Sequence, residues 1–471
     1  MTGTRTETDS LGNMSVPADA LYGAQTARAV ENFAISGWRM PAEVLRALGL
    51  VKQAAAVVNK AAGRLPERIA DAVIAAAGEV ADGKLLDQFP VDVFQTGSST
   101  STNMNANEVI ANRAIQLLGG RPGDKKLLHP NDHVNMGQSS NDAVPTAIHV
   151  AAAVAIRDRL GPAVAEIGEE LKRKAAELDA VVKIGRTHLM DAVPIRLGQE
   201  LSGYAAQVEQ AGRRVAQAAA GLCELAIGGT AVGTGLNAPP NFARDVCRIL
   251  AEKTHLPFVE AANHFAAQAS LDAAVAAMAA LKGLALALGK IASDLRLLAS
   301  GPRCGLGEIV LPATQPGSSI MPGKVNPVIC ESVIQVACQI VGCEAAVTAG
   351  ATGGVGGILE LNLAMPLVAW NLLTAIRLLA SVSEVFAARC IRGLKADEAR
   401  CRELIEQSLS MVTVLAPRIG YDAAAKIAQE ASATGRTIRE VCLARKVLPP
   451  AELETLLDAG GQTGAEEGRR E

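Results

Sequence analysis

From residue 265 to 299, apolar side chains recur at three- and four-residue steps: Leu271, Val275, Met278, Leu281, Leu284, Leu288, Ile291, Leu295 and Leu298. That is the period of one face of an α-helix. About 34 residues at roughly 1.5 Å rise make a rod of about 50 Å. Comparable runs predict helices over 41–62, 66–83, 106–118, 143–178, 192–222, 327–348 and 360–390. A rod that long cannot be buried inside one compact domain, so the pattern predicts a helical bundle shared between subunits. Residues 1 to 40 are mixed and turn-rich, and after about residue 397 the helices shorten. The expectation is a mainly α chain in three domains. Residues 1–140 form an N-terminal, mixed but mostly helical domain, 141–397 a central bundle of long helices, and 398–471 a small helical domain with a polar tail from Thr463.

Composition sharpens this picture. Hydrophobic residues reach 49% while aromatics stay at 3%, and abundant alanine lets helices approach closely. A net charge of -3 gives no reason to expect nucleic acid or an anionic membrane as partner. Apolar runs such as Leu281 to Leu288 are followed by Lys290 and Asp294, so no membrane span is expected. The nine cysteines match no zinc spacing and none precedes Cys223. They read as reduced thiols of a cytoplasmic protein. Met1 to Ser10 is polar and charged, without the look of a signal peptide.

The chemistry sits in polar stretches at predicted helix ends. In Gly317 to Glu331, two glycines, Ser318, Ser319, Lys324, Val325, Asn326 and Pro327 precede an apolar run. Glycine opens backbone angles closed to other residues, and Asn-Pro suits a helix start. A helix start with free N–H groups and a nearby lysine is a site for an anion. Ser98, Ser99, Thr100, Ser101 and Thr102 put five hydroxyls in a row before another helix. Gln138, Ser139, Ser140 and Asn141 repeat the arrangement. Hydroxyls and N–H groups are donors that suit a carboxylate. Thr187-His188 places a hydroxyl beside an imidazole, at a turn expected to open a helix with Pro194 in its first turn.

Other patterns exclude cofactors. His129, Asp132 and His133 lie close together, but no third ligand stands at a recognisable metal spacing. Gly233-x-Gly235 lacks the third glycine of a dinucleotide loop, since Ala238 stands there. Gly317 to Lys324 has one residue too many for a phosphate loop, and Val325 replaces the magnesium-binding Ser/Thr. No nucleotide, essential metal or other cofactor is expected.

Gly-Ser-Ser-Ile-Met-Pro-Gly-Lys-Val-Asn-Pro, from Gly317, resembles the signature of the fumarase/aspartase superfamily without a gap. The resemblance covers nearly the whole chain, from Val16-Pro17-Ala18-Asp19 to Ile419-Gly420-Tyr421. It implies the superfamily's mainly α, three-domain fold, a homotetramer built on its central helices, and active sites that take loops from three subunits. It implies a small dicarboxylate substrate and elimination of a β-substituent through an aci-carboxylate. In that scheme Ser318 is the base, and His188, oriented by Glu331, handles the leaving group. Ser98, Ser99, Thr100, Ser139, Ser140, Asn141, Thr187, Ser319, Lys324, Val325 and Asn326 hold substrate. His129, Pro130, Asn131 and Asp132 match an accessory anion site, although Lys126 stands where the family has arginine.

His188 leans towards the class II fumarase branch, which interconverts (S)-malate and fumarate, since one branch of aspartases has glutamine there. Ser140 leans the same way, aspartases tending to have threonine. Ammonia or amine release is the alternative, and a non-catalytic structural relative is the third reading. One departure stands out: Thr352 to Glu360 is glycine-rich and reads as longer than the family pattern.

Overall fold

The computed structural model describes residues 3–464. The polar tail expected from Thr463 falls, beyond residue 464, outside the described residues. Two strands open the chain, β1 (Thr4–Asp9) and β2 (Gly12–Pro17), paired as an antiparallel hairpin. Helices follow: α1 (Ala24–Asn32), α2 (Ala42–Ala61), α3 (Glu67–Ala81), α4 (Thr100–Leu117), α5 (Ser140–Ala155) and α6 (Gly161–Glu177). A second hairpin, β3 (Val182–Thr187) and β4 (Met190–Arg196), precedes α7 (Leu197–Gly221). Then come α8 (Phe242–Thr254), α9 (His264–Ala269), α10 (Asp272–Leu298), α11 (Val328–Ala351) and α12 (Met365–Phe386). Shorter helices over 398–407, 421–434, 438–445 and 450–457 end the described chain.

By internal packing the chain divides into two compact units. One holds Met1–Pro162, Gly212–Ala285 and Ala337–Ala380; the other holds Ala163–Ala211, Leu286–Val336 and Ser381–Glu471. In the first unit, α2 packs closely on α3 because Gly49 leaves room. A Cβ there would lie 2.6 Å from Ala81 N and 3.0 Å from Ala77 O. Backbone cannot yield as a flexible side chain can, so Gly49→Ala should destabilise the protein by about 2 kcal/mol through overpacking. A denaturant-midpoint comparison checks this. The buried Glu108 carboxylate closes the start of α1. It accepts from Gly23 N at 2.8 Å, Gln25 N at 2.9 Å, Thr26 N at 3.1 Å and Thr26 Oγ1 at 2.7 Å.

In the second unit, a core of Ile405, Met411, Leu415, Ile427 and Val441 gathers the C-terminal helices, and Ile184 of β3 joins it. Beside Ile184, the fully buried Glu308 carboxylate faces Arg186 Nη1 at 2.8 Å and Lys183 Nζ at 3.3 Å. Lys183 also meets Glu200 at 3.2 Å. These contacts fix the base of the β3–β4 hairpin.

Three sequence expectations change. The helix expected over 265–299 is broken, because Ser270 is extended and its Oγ accepts from Asp272 N at 3.2 Å to start α10 anew. The helix expected over 143–178 is divided by a widened turn at Ile156–Leu160. The helix expected to begin near residue 192 begins at Leu197. Pro194 lies in β4 opposite Ile184, because alternating residues on both sides of His188 pair as strands.

Asp272–Leu298, Val328–Ala351 and Met365–Ile391 are, by length and composition, long and apolar enough to cross a membrane. The charges noted in α10, Lys290 and Asp294, pair with each other one turn apart. The exposed face of α11 nevertheless carries Ser332, Gln335, Gln339 and Thr348 among its alanines and valines.

Candidate active site

In the first unit, the residues before α4 make a tight hydroxyl cluster. Gly97 brings the chain against Leu363, where a Cβ would come 2.1 Å from Leu363 O. Met365 N donates to Gly97 O at 3.1 Å. Ser99 takes a left-handed conformation (φ 57°) to turn into the helix. Gln95 Oε1 then accepts from Thr102 N and Thr102 Oγ1, both at 2.9 Å, anchoring the first turn. Ser98 Oγ lies 2.7 Å from Thr100 Oγ1, which lies 2.8 Å from Ser140 Oγ. The structure thus joins three predicted donors from two distant stretches. Ser99 is fully buried, with its hydroxyl turned to Gln95.

The start of α5 is equally fixed. Ser139 caps the helix, its Oγ accepting from Asn141 N at 3.2 Å and its N donating to Asp142 Oδ1 at 2.8 Å. Asp142 Oδ2 accepts from Gly228 N and Thr230 N at 2.9 Å each, and Asn141 Nδ2 donates to Ala231 O at 2.8 Å. The glycine-rich stretch 228–235 is therefore a brace for the donor turn. Burial pushes the Asp142 carboxyl above its ordinary range, and the N–H groups from Ser139, Thr230 and Gly228 oppose that. In the sequence this brace has one signal, Asp142 at the third position of a helix capped by Ser139.

His129 heads the turn Pro130–Val134, its Nδ1 3.2 Å from Asp132 Oδ2. Pro130 is buried, while Asn131 and Asp132 are exposed.

In the second unit, Ser318, Met321, Gly323, Lys324 and Val325 line a groove of about 450 Å³. Ser318 Oγ accepts from Met321 N at 3.0 Å and Ile320 N at 3.2 Å. Two N–H dipoles aimed at one hydroxyl oxygen favour its negative form. Gly317 closes the loop: its N donates to Lys324 O at 2.8 Å, and Asn326 Nδ2 donates to its O at 2.6 Å. Asn326 thus ties the loop shut instead of capping α11, which starts at Val328 with Glu331 in its first turn. Ser319, Lys324 and Val325 are exposed.

Thr187 and His188 sit at the exposed tip of the β3–β4 hairpin. His188 (φ 58°) and Leu189 (φ 60°) form a two-residue turn between the paired Thr187 and Met190. That left-handed pair matches the twist of a tight hairpin. Among the described residues, neither the His188 imidazole nor the Glu331 carboxylate has a side-chain partner, so the structure does not join them within one chain.

Residues 12–342 match the family described as "Lyase", and residues 411–460 match "Fumarase C C-terminus". Fumarate hydratase class II 2 of Bradyrhizobium diazoefficiens is 54% identical over 96% of this chain and 95% of its own length. Fumarate hydratase class II of Rhizobium meliloti is 52% identical over 93% and 94%. The crystal structure of recombinant class II fumarase from Schistosoma mansoni superposes with a TM-score of 0.94 at 40% identity, covering 98% of this chain and 99% of that one.

Proposed function

The chain belongs to the class II fumarate hydratase family of lyases and catalyses the reversible hydration of fumarate, and we propose that Ser318 is the base of that reaction. The pair of N–H groups on Ser318 Oγ carries this reading. A serine hydroxyl is far too weak an acid to ionise alone at neutral pH, and the loop supplies what favours the alkoxide. In the dehydration direction, Ser318 removes a proton from the carbon beside one malate carboxylate. The aci-carboxylate that forms is held by Lys324, Asn326 and Thr187, with Ser98, Thr100, Ser140 and Asn141 on the dicarboxylate. His188, oriented by Glu331, protonates the departing hydroxide directly or through water. Hydration of fumarate runs the same steps backwards. His129, Asn131 and Asp132 form an accessory anion site.

The working molecule is a homotetramer in which three chains contribute to each site. That neither His188 nor Glu331 has a side-chain partner among the described residues supports this, because a copy of the chain would supply the neighbour. The half-apolar outer face of α11 supports it too: its serine, glutamines and threonine suit another helix better than lipid. A cytoplasmic setting accords with nine cysteines that are all free thiols.

A paired assay of purified protein tests the reading. Malate should generate fumarate's ultraviolet absorbance, L-aspartate should release no ammonia, and light scattering should report four chains. Ammonia release without malate turnover overturns the assignment, and a fully active single chain overturns the shared site.

A further inference from the structure

Lys52 of α2 is fully buried, yet its hydrogen bond goes to a single atom, Asn135 Oδ1, at 2.8 Å. The same oxygen accepts from Asn103 Nδ2 and Asn107 Nδ2 of α4, both at 3.2 Å. Asn135 in turn donates through Nδ2 to Gln138 O at 3.1 Å, one residue before the cap of α5. One side chain, Asn135, therefore links Lys52 through its Oδ1 to α4, which starts at Thr100, and through its Nδ2 to the segment leading into Ser139, Ser140 and Asn141.

The surroundings suit a cation. Asn103 and Asn107, which share Asn135 Oδ1 with Lys52, each keep a buried side-chain oxygen without a protein partner, and an ammonium offers three N–H donors. Asp142 of α5 is the charged group that acts on Lys52. From α4 and the 130–135 turn it faces neutral amides. Among the described residues no charged group of α3 or α8, which also pack on α2, acts on it. Burial nevertheless pulls the amine down to about 7, against the pull of Asp142.

We propose that Lys52 is a positioning residue for fumarate hydration: its ammonium, through Asn135, holds the starts of α4 and α5 in the register that brings Thr100 to Ser140. It sets affinity for the dicarboxylate and leaves the chemical step alone. This rests on the reading of Thr100 and Ser140 as substrate donors.

The test compares kcat and KM for fumarate from about pH 6 to about pH 9 in the wild-type tetramer, Lys52→Met, Asn135→Asp and Ser140→Ala. Lys52→Met should raise KM about tenfold with kcat within about threefold, and its KM should no longer vary with pH in step with a single amine. In the wild type, KM should rise as pH passes upward through about 7, where the amine loses its proton. Asn135→Asp places a carboxylate on the ammonium but removes the Nδ2 donor to Gln138 O, so it should raise KM overall and move its rise with pH to higher pH. Wild-type KM and pH profile in Lys52→Met overturn the proposal, as does a loss confined to kcat. If Lys52→Met does not fold, a flat wild-type KM or an unmoved Asn135→Asp profile overturns it. Ser140→Ala separates the two readings. If it leaves KM unchanged, the donor reading fails; if it raises KM while Lys52→Met does not, only the Lys52 proposal fails.

Discussion

Ser318→Ala should lower kcat for malate and fumarate about a thousandfold or more, while KM moves by less than about threefold. Such a split marks a group used in the transition state and little used in binding. The loop should survive, because Gly317 N to Lys324 O and Asn326 Nδ2 to Gly317 O do not involve the Ser318 side chain. The two N–H groups left by the lost oxygen lie on exposed residues, where water replaces it at small cost. Initial rates, with circular dichroism and a melting curve as controls on the fold, make the measurement. Full turnover in a normally folded Ser318→Ala protein refutes the base assignment.

Glu308→Ala should lower stability by about 3–5 kcal/mol, since it strips a buried carboxylate from its cations. Lys183 keeps Glu200 at 3.2 Å, but the Arg186 contact at 2.8 Å has no replacement of that quality. The damage should reach catalysis, because these residues anchor the hairpin whose tip is His188. The expected result is a large fall in the chemical-denaturation midpoint, with reduced kcat in whatever fraction stays folded. Glu308→Gln, which keeps the shape and one acceptor oxygen, should recover part of the midpoint. An unchanged midpoint in Glu308→Ala refutes the anchoring role.

Much of the candidate site was legible because its signals are short-range. Small hydroxyl residues before a helix, and Gly-Ser-Ser with Lys-x-Asn-Pro, act through neighbours a few positions away. Long helices were legible because burial of one face imposes a period that a few residues reveal. The hairpin over 182–196 was not. Val193-Pro194-Ile195 followed by a helical period reads as a helix start, and only pairing with Val182 to Thr187 decides otherwise. Lys52 and Glu308 were silent for a different reason, and Asp142 showed its cap position but not its long-range partners. Each is one charged residue in an ordinary local pattern, and its meaning lies in partners far along the chain. The meeting of Thr100 with Ser140 is of the same kind: the two stretches were visible, their contact was not.

The donors to Ser318 Oγ come from residues two and three positions downstream. On the proposed assignment the base is thus assembled by a handful of consecutive residues, whereas the acid depends on a hairpin pinned by Glu308, more than a hundred residues away in the chain, and on a neighbouring copy for its partner. The two halves of the reaction rest on different supports, one local and one long-range. A change that loosens the hairpin therefore reaches Thr187 and His188 together, at the aci-carboxylate and at the leaving group, while the pair of N–H groups on Ser318 Oγ stays in place.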